Sequence, residues 1–301
     1  EHIREELGDG AQFGARIEYI IQHKPKGLAH AVKMGKDFVG VDPFMVFLGD
    51  NILEDDLTHL MERYRKENPD GIVLLKEVDE PQRFGIAILQ EGNLVKVVEK
   101  PKDPPSNLAI AGVYIFDQRI FKAIDQLTPS WRGEYEITDA IQKLIDQNLV
   151  VKGEILKGKW LDTGKPNDLI EGNKFLIQRL KGWHIYGDID EDSEIENSVY
   201  IGQGSIVKNS TIVGPVVIGK NCKIENSRIT PYTSVGDGVS FRNVTVANSL
   251  IMKNCVIENI EGKIRESILG KEVHLSSIDV GRELRFILGS NDIITTKMVD
   301  E

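Results

Sequence analysis

The chain has 301 residues, with 37 Lys+Arg against 47 Asp+Glu, a net charge of −10, and 41% apolar and 28% charged residues. That length suggests two domains, the composition is that of an ordinary globular protein, and no apolar run reaches the ~20 residues that span a bilayer. The acidic balance argues against nucleic-acid binding through the overall field. Two cysteines, Cys222 and Cys255, with no CxxC or Cys/His cluster, argue against a disulfide framework and structural zinc and for a reducing, cytoplasmic setting.

In chain order, Glu1–Leu7 reads as the end of a helix already under way, and Ile17–Gln22 as a short β-rich run. Residues 27–36 have helical spacing. Phe44–Leu48 (FMVFL) reads as a strand buried on both faces of a mainly parallel sheet. Residues 55–66 carry Leu57, Leu60, Met61 and Tyr64 at helical spacing, and Gly71–Leu75 is a further buried strand. Residues 84–89 and 94–98 flank Glu91-Gly92-Asn93, a hairpin signal. A strand at 113–116, a helix at 137–147, a strand at 149–156 and a helix at 169–180 complete an alternating α/β pattern. A C-cap signal at Lys181-Gly182 closes this part, giving domains 1–182 and 183–301.

From about 195 the helical periodicity stops. Apolar residues recur every six positions in the runs Ile195 and Ile201, then Ile206, Ile212, Ile218 and Ile224, then Ile229, Val235 and Phe241. Gly follows at 202, 214, 219 and 236, and Asn-Ser steps recur at 197, 209, 226 and 248. This hexapeptide repeat is the signature of a parallel β-helix, and it loses regularity after about 256.

Several residues in the first domain could carry chemistry. Asp50 follows a strand in FLGDN, where ligands of open α/β sheets bind, but an Asp there also suits an Asx-turn. Asp162 in KWLDTGKP has the same two readings. Two such carboxylates could share one Mg²⁺. Glu99 and Lys100 in VVEKP fit a polyol acceptor beside a phosphate-neutralising cation, or a solvated ion pair. Gln22, ahead of Pro25 and Gly27, offers donor and acceptor to a pyrimidine edge, or simply turn polarity. His23 and His30 have no metal-type or triad spacing and read as incidental.

Taken in order, IEYIIQHKPKGLAHAV, FLGDNI, RFGIAIL, VVEKP, AGVYIFD, RGEYEITD and KWLDTG resemble the sugar-1-phosphate nucleotidylyltransferases. Among them they are most similar to the long-form glucose-1-phosphate thymidylyltransferases. The resemblance implies a Rossmann-like nucleotidyltransferase domain, followed by a left-handed parallel β-helix. It implies transfer of a thymidylyl group from dTTP to glucose 1-phosphate, giving dTDP-glucose and pyrophosphate for deoxysugar synthesis. It gives Asp50 and Asp162 to Mg²⁺, and Gln22, Pro25 and Gly27, with Asp50, to the nucleotide. Gly85, Glu99, Lys100, Ile110 and Tyr114 go to the sugar phosphate, and Arg132, Glu134 and Asp139 to a fingerprint read as scaffold. A UTP-using or broad-specificity relative and a non-catalytic scaffold are the alternatives.

The family also opens with a GxGTRL-type loop that cradles the triphosphate. The resemblance implies such a segment ahead of Glu1, and a chain without it is expected to be inactive or nearly so. The β-helix is expected to serve assembly into a homo-oligomer. Related β-helices carry acetyltransferase activity, but His274 is the only histidine in this repeat, which disfavours it here.

Overall fold

The computed structural model describes residues 2–295. By contact the chain divides into two compact units, Glu1–Trp160 and Leu161–Glu301. No helix among the described residues is long and apolar enough to cross a membrane.

The first unit contains helices α1 (His2–Leu7), α2 (Leu28–Met34), α3 (Lys36–Val39), α4 (Thr58–Glu67), α5 (Arg119–Ile124) and α6 (Ile137–Asp146). Its strands are β1 (Phe44–Phe47), β2 (Asn51–Leu53), β3 (Gly71–Glu77), β4 (Gly85–Gln90), β5 (Asn93–Glu99), β6 (Leu108–Phe116) and β7 (Val151–Ile155). Six of them form one sheet in the order β1-β6-β3-β7-β5-β4. Strands β3 and β7 are parallel neighbours, whereas β6 runs against both β1 and β3, and β4–β5 is an antiparallel hairpin.

Successive side chains of a strand point to opposite faces, so the apolar run of β3 feeds two cores. Val73 and Leu75 pack with Ile120, Phe121, Ile141 and Leu144 of α5 and α6. Ile72 and Leu74 pack with Leu60 and Tyr64 of α4. Burying one such side chain contributes roughly 1.5–3 kcal/mol, and this two-sided burial fixes β3 and β6 at the centre.

Two expectations change. Ile17–Gln22 lies in no strand, because nothing among the described residues pairs with it. The FMVFL strand lies at the sheet edge, pairs with β6, and is half-buried with Phe47 43% exposed, rather than buried on both faces.

In the second unit, β8 (Trp160–Asp162) crosses the contact boundary and α7 (Pro166–Ile177) follows, with Pro at its start. The contact boundary lies ahead of α7, whereas the composition change lies after it. Beyond α7 the chain winds as a parallel β-helix, one face of which stacks seven strands. It begins earlier than the repeat suggested, since Trp183–Ile185 already pairs with Val199–Ile201. The inward positions are Ile201, Val207, Ile212, Ile218, Ile224, Ile229, Val235, Phe241 and Val246, all buried. Their steps run six, five, six, six, five, six, six, five, so most coils hold 17 residues, as in Val199↔Val216↔Thr233.

Val207 therefore takes the inward place expected of Ile206, which is only half-buried. The repeat continues after 256 instead of dissolving. Its coils lengthen, with Val256 paired to His274 and His274 to Ile293, and two faces merge into bent strands Val256–Arg265 and His274–Leu284. The corners are taken by Asn197, Asn209, Asn226, Asn243 and Asn248, all at positive φ, which Asn tolerates. Gly202, Gly219 and Gly236 stack where coil backbones meet. A Cβ on Gly202 would lie 2.6 Å from the Gly219 carbonyl oxygen.

Candidate active site

The hairpin β4–β5 turns through Glu91 and Gly92, both at positive φ, the two-residue turn that matches strand twist. Its register sets Gly85 opposite Glu99. Glu99 Oε2 accepts a hydrogen bond from Thr138 Oγ1 at 3.0 Å, and Oε1 lies 3.5 Å from Arg132 Nη1. The same Arg132 nitrogen lies 3.5 Å from Glu136 Oε1, and Nη2 lies 3.2 Å from Glu134 Oε1. A Cβ on Gly85 would meet Thr138 Cγ2 at 2.7 Å, Glu99 Oε2 at 3.2 Å and Ile110 Cδ1 at 3.4 Å, so only hydrogen fits there.

The Glu99 carboxyl is mostly buried, and its pKa is held above the ordinary carboxylate value. Burial is the main cause, with the nearby Glu136 charge second. Thr138, Lys100 and Arg132 pull the other way. Tyr114, fully enclosed on β6, has its phenol pushed upward by burial and then by the Glu99 charge. Gly85, Glu99, Ile110 and Tyr114 are thus brought together. Lys100 follows at the strand end with a left-handed backbone (φ 39°), its N–H bonded to the Phe84 carbonyl oxygen at 3.1 Å. That conformation costs an L residue about 1–2 kcal/mol.

Asp50 follows β1 after Leu48-Gly49, and Leu48 N–H is anchored on the Gly112 carbonyl oxygen at 3.0 Å. Asn51 Nδ2 donates to Asp50 Oδ1 at 2.9 Å, and Trp160 Nε1 donates to Asn51 Oδ1 at 2.6 Å. An indole only donates and a carboxylate only accepts, so this amide has one orientation. The Trp160 ring packs on Phe84, centroids 5.1 Å apart.

Asp162 ends β8 in the second unit, and its Oδ1 accepts from Gly164 N–H at 3.1 Å, the Asx-turn geometry. No group of three or more His, Cys, Asp or Glu side chains among the described residues is arranged to hold a metal ion. Mg²⁺ takes one or two carboxylates and completes its shell from substrate and water.

Gln22 Nε2 lies 2.7 Å from His30 Nδ1 and 3.5 Å from the Gly27 carbonyl oxygen. Gly27 caps α2 at φ 98°, and a Cβ there would lie 2.6 Å from the Tyr135 carbonyl oxygen. Tyr135 N–H donates to Lys26 O at 2.7 Å, and Ala29 N–H donates to Tyr135 O at 3.0 Å. Pro25 is exposed in this loop. The stretch 132–139, read from sequence as scaffold, therefore holds the Gln22–Gly27 loop through Tyr135 and the Glu99 carboxyl through Arg132 and Thr138. Thr138 and Glu136 are the residues that sequence reasoning missed. Thr138 and Glu99 are 39 positions apart, and no motif spacing links them.

Residues 1–179 match the family described as nucleotidyl transferase. The low-salt glycan biosynthesis nucleotidyltransferase Agl11 of Haloferax volcanii is 43% identical over 97% of this chain and 82% of its own length. A glucose-1-phosphate thymidylyltransferase of Streptomyces griseus is 36% identical over 95% of this chain and 80% of its own length. Among solved structures, a UDP-glucose pyrophosphorylase complexed with UDP-glucose superposes with a TM-score of 0.50 at 30% identity, covering 60% of this chain and 74% of that one.

Proposed function

The chain belongs to the nucleotidyl transferase family, and from that premise we propose that it transfers the thymidylyl group of dTTP to glucose 1-phosphate, releasing dTDP-glucose and pyrophosphate. One observation carries the reading: a buried carboxylate, Glu99, stands beside Lys100 and Arg132, and residues 132–139 tie it to the Gln22–Gly27 loop.

In this reading Glu99 accepts hydrogen bonds from sugar hydroxyls, and Gly85, Ile110 and Tyr114 wall the ring. Lys100 neutralises the sugar phosphate, whose oxygen attacks the α-phosphorus in line as pyrophosphate leaves. Gln22 and the Gly27 backbone hold the base. Asp50, oriented by Asn51, and Asp162 are the carboxylates that would hold Mg²⁺. When bound, that ion would neutralise charge on the phosphates. These residues position the reactants and offset charge, which is the protein's main part in phosphoryl-type transfer. The β-helix would serve assembly into a homo-oligomer, in keeping with exposed Trp183 and Ile293 on its first and last described strands.

A UTP-using enzyme is the second reading, favoured by the likeness to the pyrophosphorylase bound to UDP-glucose. The test is pyrophosphate release by the full-length native protein with Mg²⁺, glucose 1-phosphate and each of dTTP, UTP, GTP, CTP and ATP. Preference for dTTP supports the first reading and preference for UTP the second. No release with any nucleotide overturns both.

A further inference from the structure

We propose that Lys76 and Asp55 clamp the turn 156–159 between opposite charges, and thereby hold the Asp50 carboxylate in the orientation a divalent cation needs. The inference rests on the reading of Asp50 as a metal carboxylate and adds two positioning residues to it. The turn joins β7 to β8 and delivers Trp160. Backbone N–H and C=O groups need partners, and at a surface turn water can supply them. Here charged side chains do. Lys76 follows Leu75, whose carbonyl oxygen accepts Leu156 N–H at 2.8 Å. The Lys76 ammonium donates to the carbonyl oxygens of Leu156, Lys157 and Gly158 at 3.3, 3.5 and 2.8 Å. It has three N–H groups and no acceptor, so these carbonyls use it fully. On the other side Asp55 Oδ2 accepts from Lys157 N–H and Gly158 N–H, both at 3.2 Å. Glu54 Oε2 accepts from Lys159 N–H at 2.9 Å, and Glu54 N–H donates to Lys159 O at 3.0 Å. Every backbone N–H and C=O from Leu156 to Lys159 is thereby bonded, most of them to charged side chains.

Neither Lys76 nor Asp55 forms an ion pair among the described residues; both give their bonds to the turn. A Cβ on Gly158 would collide with the Asp55 carboxylate, so that side chain approaches the backbone as closely as glycine alone allows. The segments on both sides of the clamp are anchored. Leu156 and Trp160 flank the turn, Leu53 and Leu57 flank Glu54 and Asp55, and all four pack on the core of Leu60, Ile72 and Leu74. The clamp then sets how the two segments meet. Trp160 comes next along the chain, its Nε1–H donates to Asn51 Oδ1 at 2.6 Å, and Asn51 Nδ2 donates to Asp50 Oδ1 at 2.9 Å. A displaced turn moves the indole nitrogen, and with it the amide that aims Asp50. Lys76 and Asp55 act through this relay and touch no substrate.

Losing a direct partner of a metal ligand typically costs about 10- to 100-fold in metal affinity. The clamp acts further out, so the expected loss is about three- to tenfold. The experiment titrates Mn²⁺, followed by paramagnetic relaxation, into the full-length native protein and into Lys76→Met, Asp55→Asn and Asp50→Asn. Unfolding midpoints and KM for glucose 1-phosphate are measured alongside, and hydrogen exchange of the 157–159 amides is read by NMR in the wild-type protein. The proposal expects Mn²⁺ affinity to fall about three- to tenfold in Lys76→Met and less in Asp55→Asn, whose amide oxygen still accepts, with little change in KM for the sugar phosphate. It expects the three amides to exchange slowly, although Lys157 and Lys159 are exposed. Rapid exchange of these amides overturns the proposal even if the variants fail to fold. A lowered unfolding midpoint in Lys76→Met with unchanged Mn²⁺ affinity also overturns it, since the clamp is then structural only; if Asp50→Asn weakens Mn²⁺ binding in the same series, the metal reading stands. Unchanged Mn²⁺ affinity in Asp50→Asn overturns that reading and the proposal with it.

Discussion

Replacing Thr138 by Val tests the electrostatics around Glu99. Val keeps the shape of the side chain and removes its hydroxyl. Thr138 is 2% exposed, so no water takes the place of the Oγ1–Oε2 hydrogen bond of 3.0 Å. A hydrogen bond to a charged group contributes about 1.5–3 kcal/mol, against about 1 kcal/mol for a neutral one. The ionised form of Glu99 therefore loses about 1–1.5 kcal/mol more than the protonated form, and 1.36 kcal/mol corresponds to one pKa unit. The Glu99 midpoint, already raised by burial and by Glu136, is expected to rise further once the Thr138 hydrogen bond that lowers it is gone.

The direction for stability follows from proton linkage. A carboxyl whose folded pKa lies above its unfolded one costs nothing below the unfolded value, where both states are protonated. It destabilises as pH rises between the two values, and the cost persists above them. Raising the folded value widens that window, so Thr138→Val should lose about 1 kcal/mol more at a pH above the Glu99 midpoint than at pH 4. A ¹³C NMR titration of the Glu99 carboxyl gives the midpoint, and denaturant unfolding at the two pH values gives the difference. A midpoint that stays or falls, or an equal loss at both pH values, would refute the reasoning.

Gly85→Ala drives a methyl into Thr138 and the Glu99 carboxylate and should cost about 1–3 kcal/mol, with a raised KM for the sugar phosphate and little change in KM for the nucleotide. Trp160→Phe keeps the packing on Phe84 but removes the N–H that orients Asn51. About 1 kcal/mol of stability should go, and Mn²⁺ affinity, followed by paramagnetic relaxation, should weaken several-fold. In the β-helix, Val207→Ala should cost about 2 kcal/mol in denaturant unfolding, and Ile206→Ala less than half of that, because Val207 is fully buried and Ile206 only partly. Equal costs would mean that the inward register has been assigned one residue out.

The β-helix was legible because its inward side chains recur almost every six residues. The phase slipped at Ile206-Val207, where two apolar residues stand side by side and the true step to Ile212 is five. Gly85, Glu99, Ile110 and Tyr114, grouped through ordered motifs, do lie together, each on a strand or at its end. Arg132, Glu136 and Thr138 acquire their meaning only when α6 packs behind the hairpin, a tertiary event with no local spacing. The Gln22–His30 contact was hidden for a similar reason, since the chain must turn at Gly27 before the two side chains meet. The edge position of Phe44–Phe47 was masked by its composition, because an apolar run does not say how many neighbours a strand has.

The six-six-five stepping of the coils makes the second unit a ruler with coarse graduations. Each coil adds one strand spacing, about 4.8 Å, so a face of seven strands is about 29 Å tall. Its height changes only by whole coils. Excising Ser210–Asn226 would join Asn209 to Ser227, recreate the Asn-Ser corner and leave every later side chain in phase. Excising one residue fewer would swap inside for outside until the next corner absorbed the slip. Length variation in this unit is accordingly quantised at about 17 residues, while the first unit, whose sheet fixes the spacing of its strands, has no equivalent freedom.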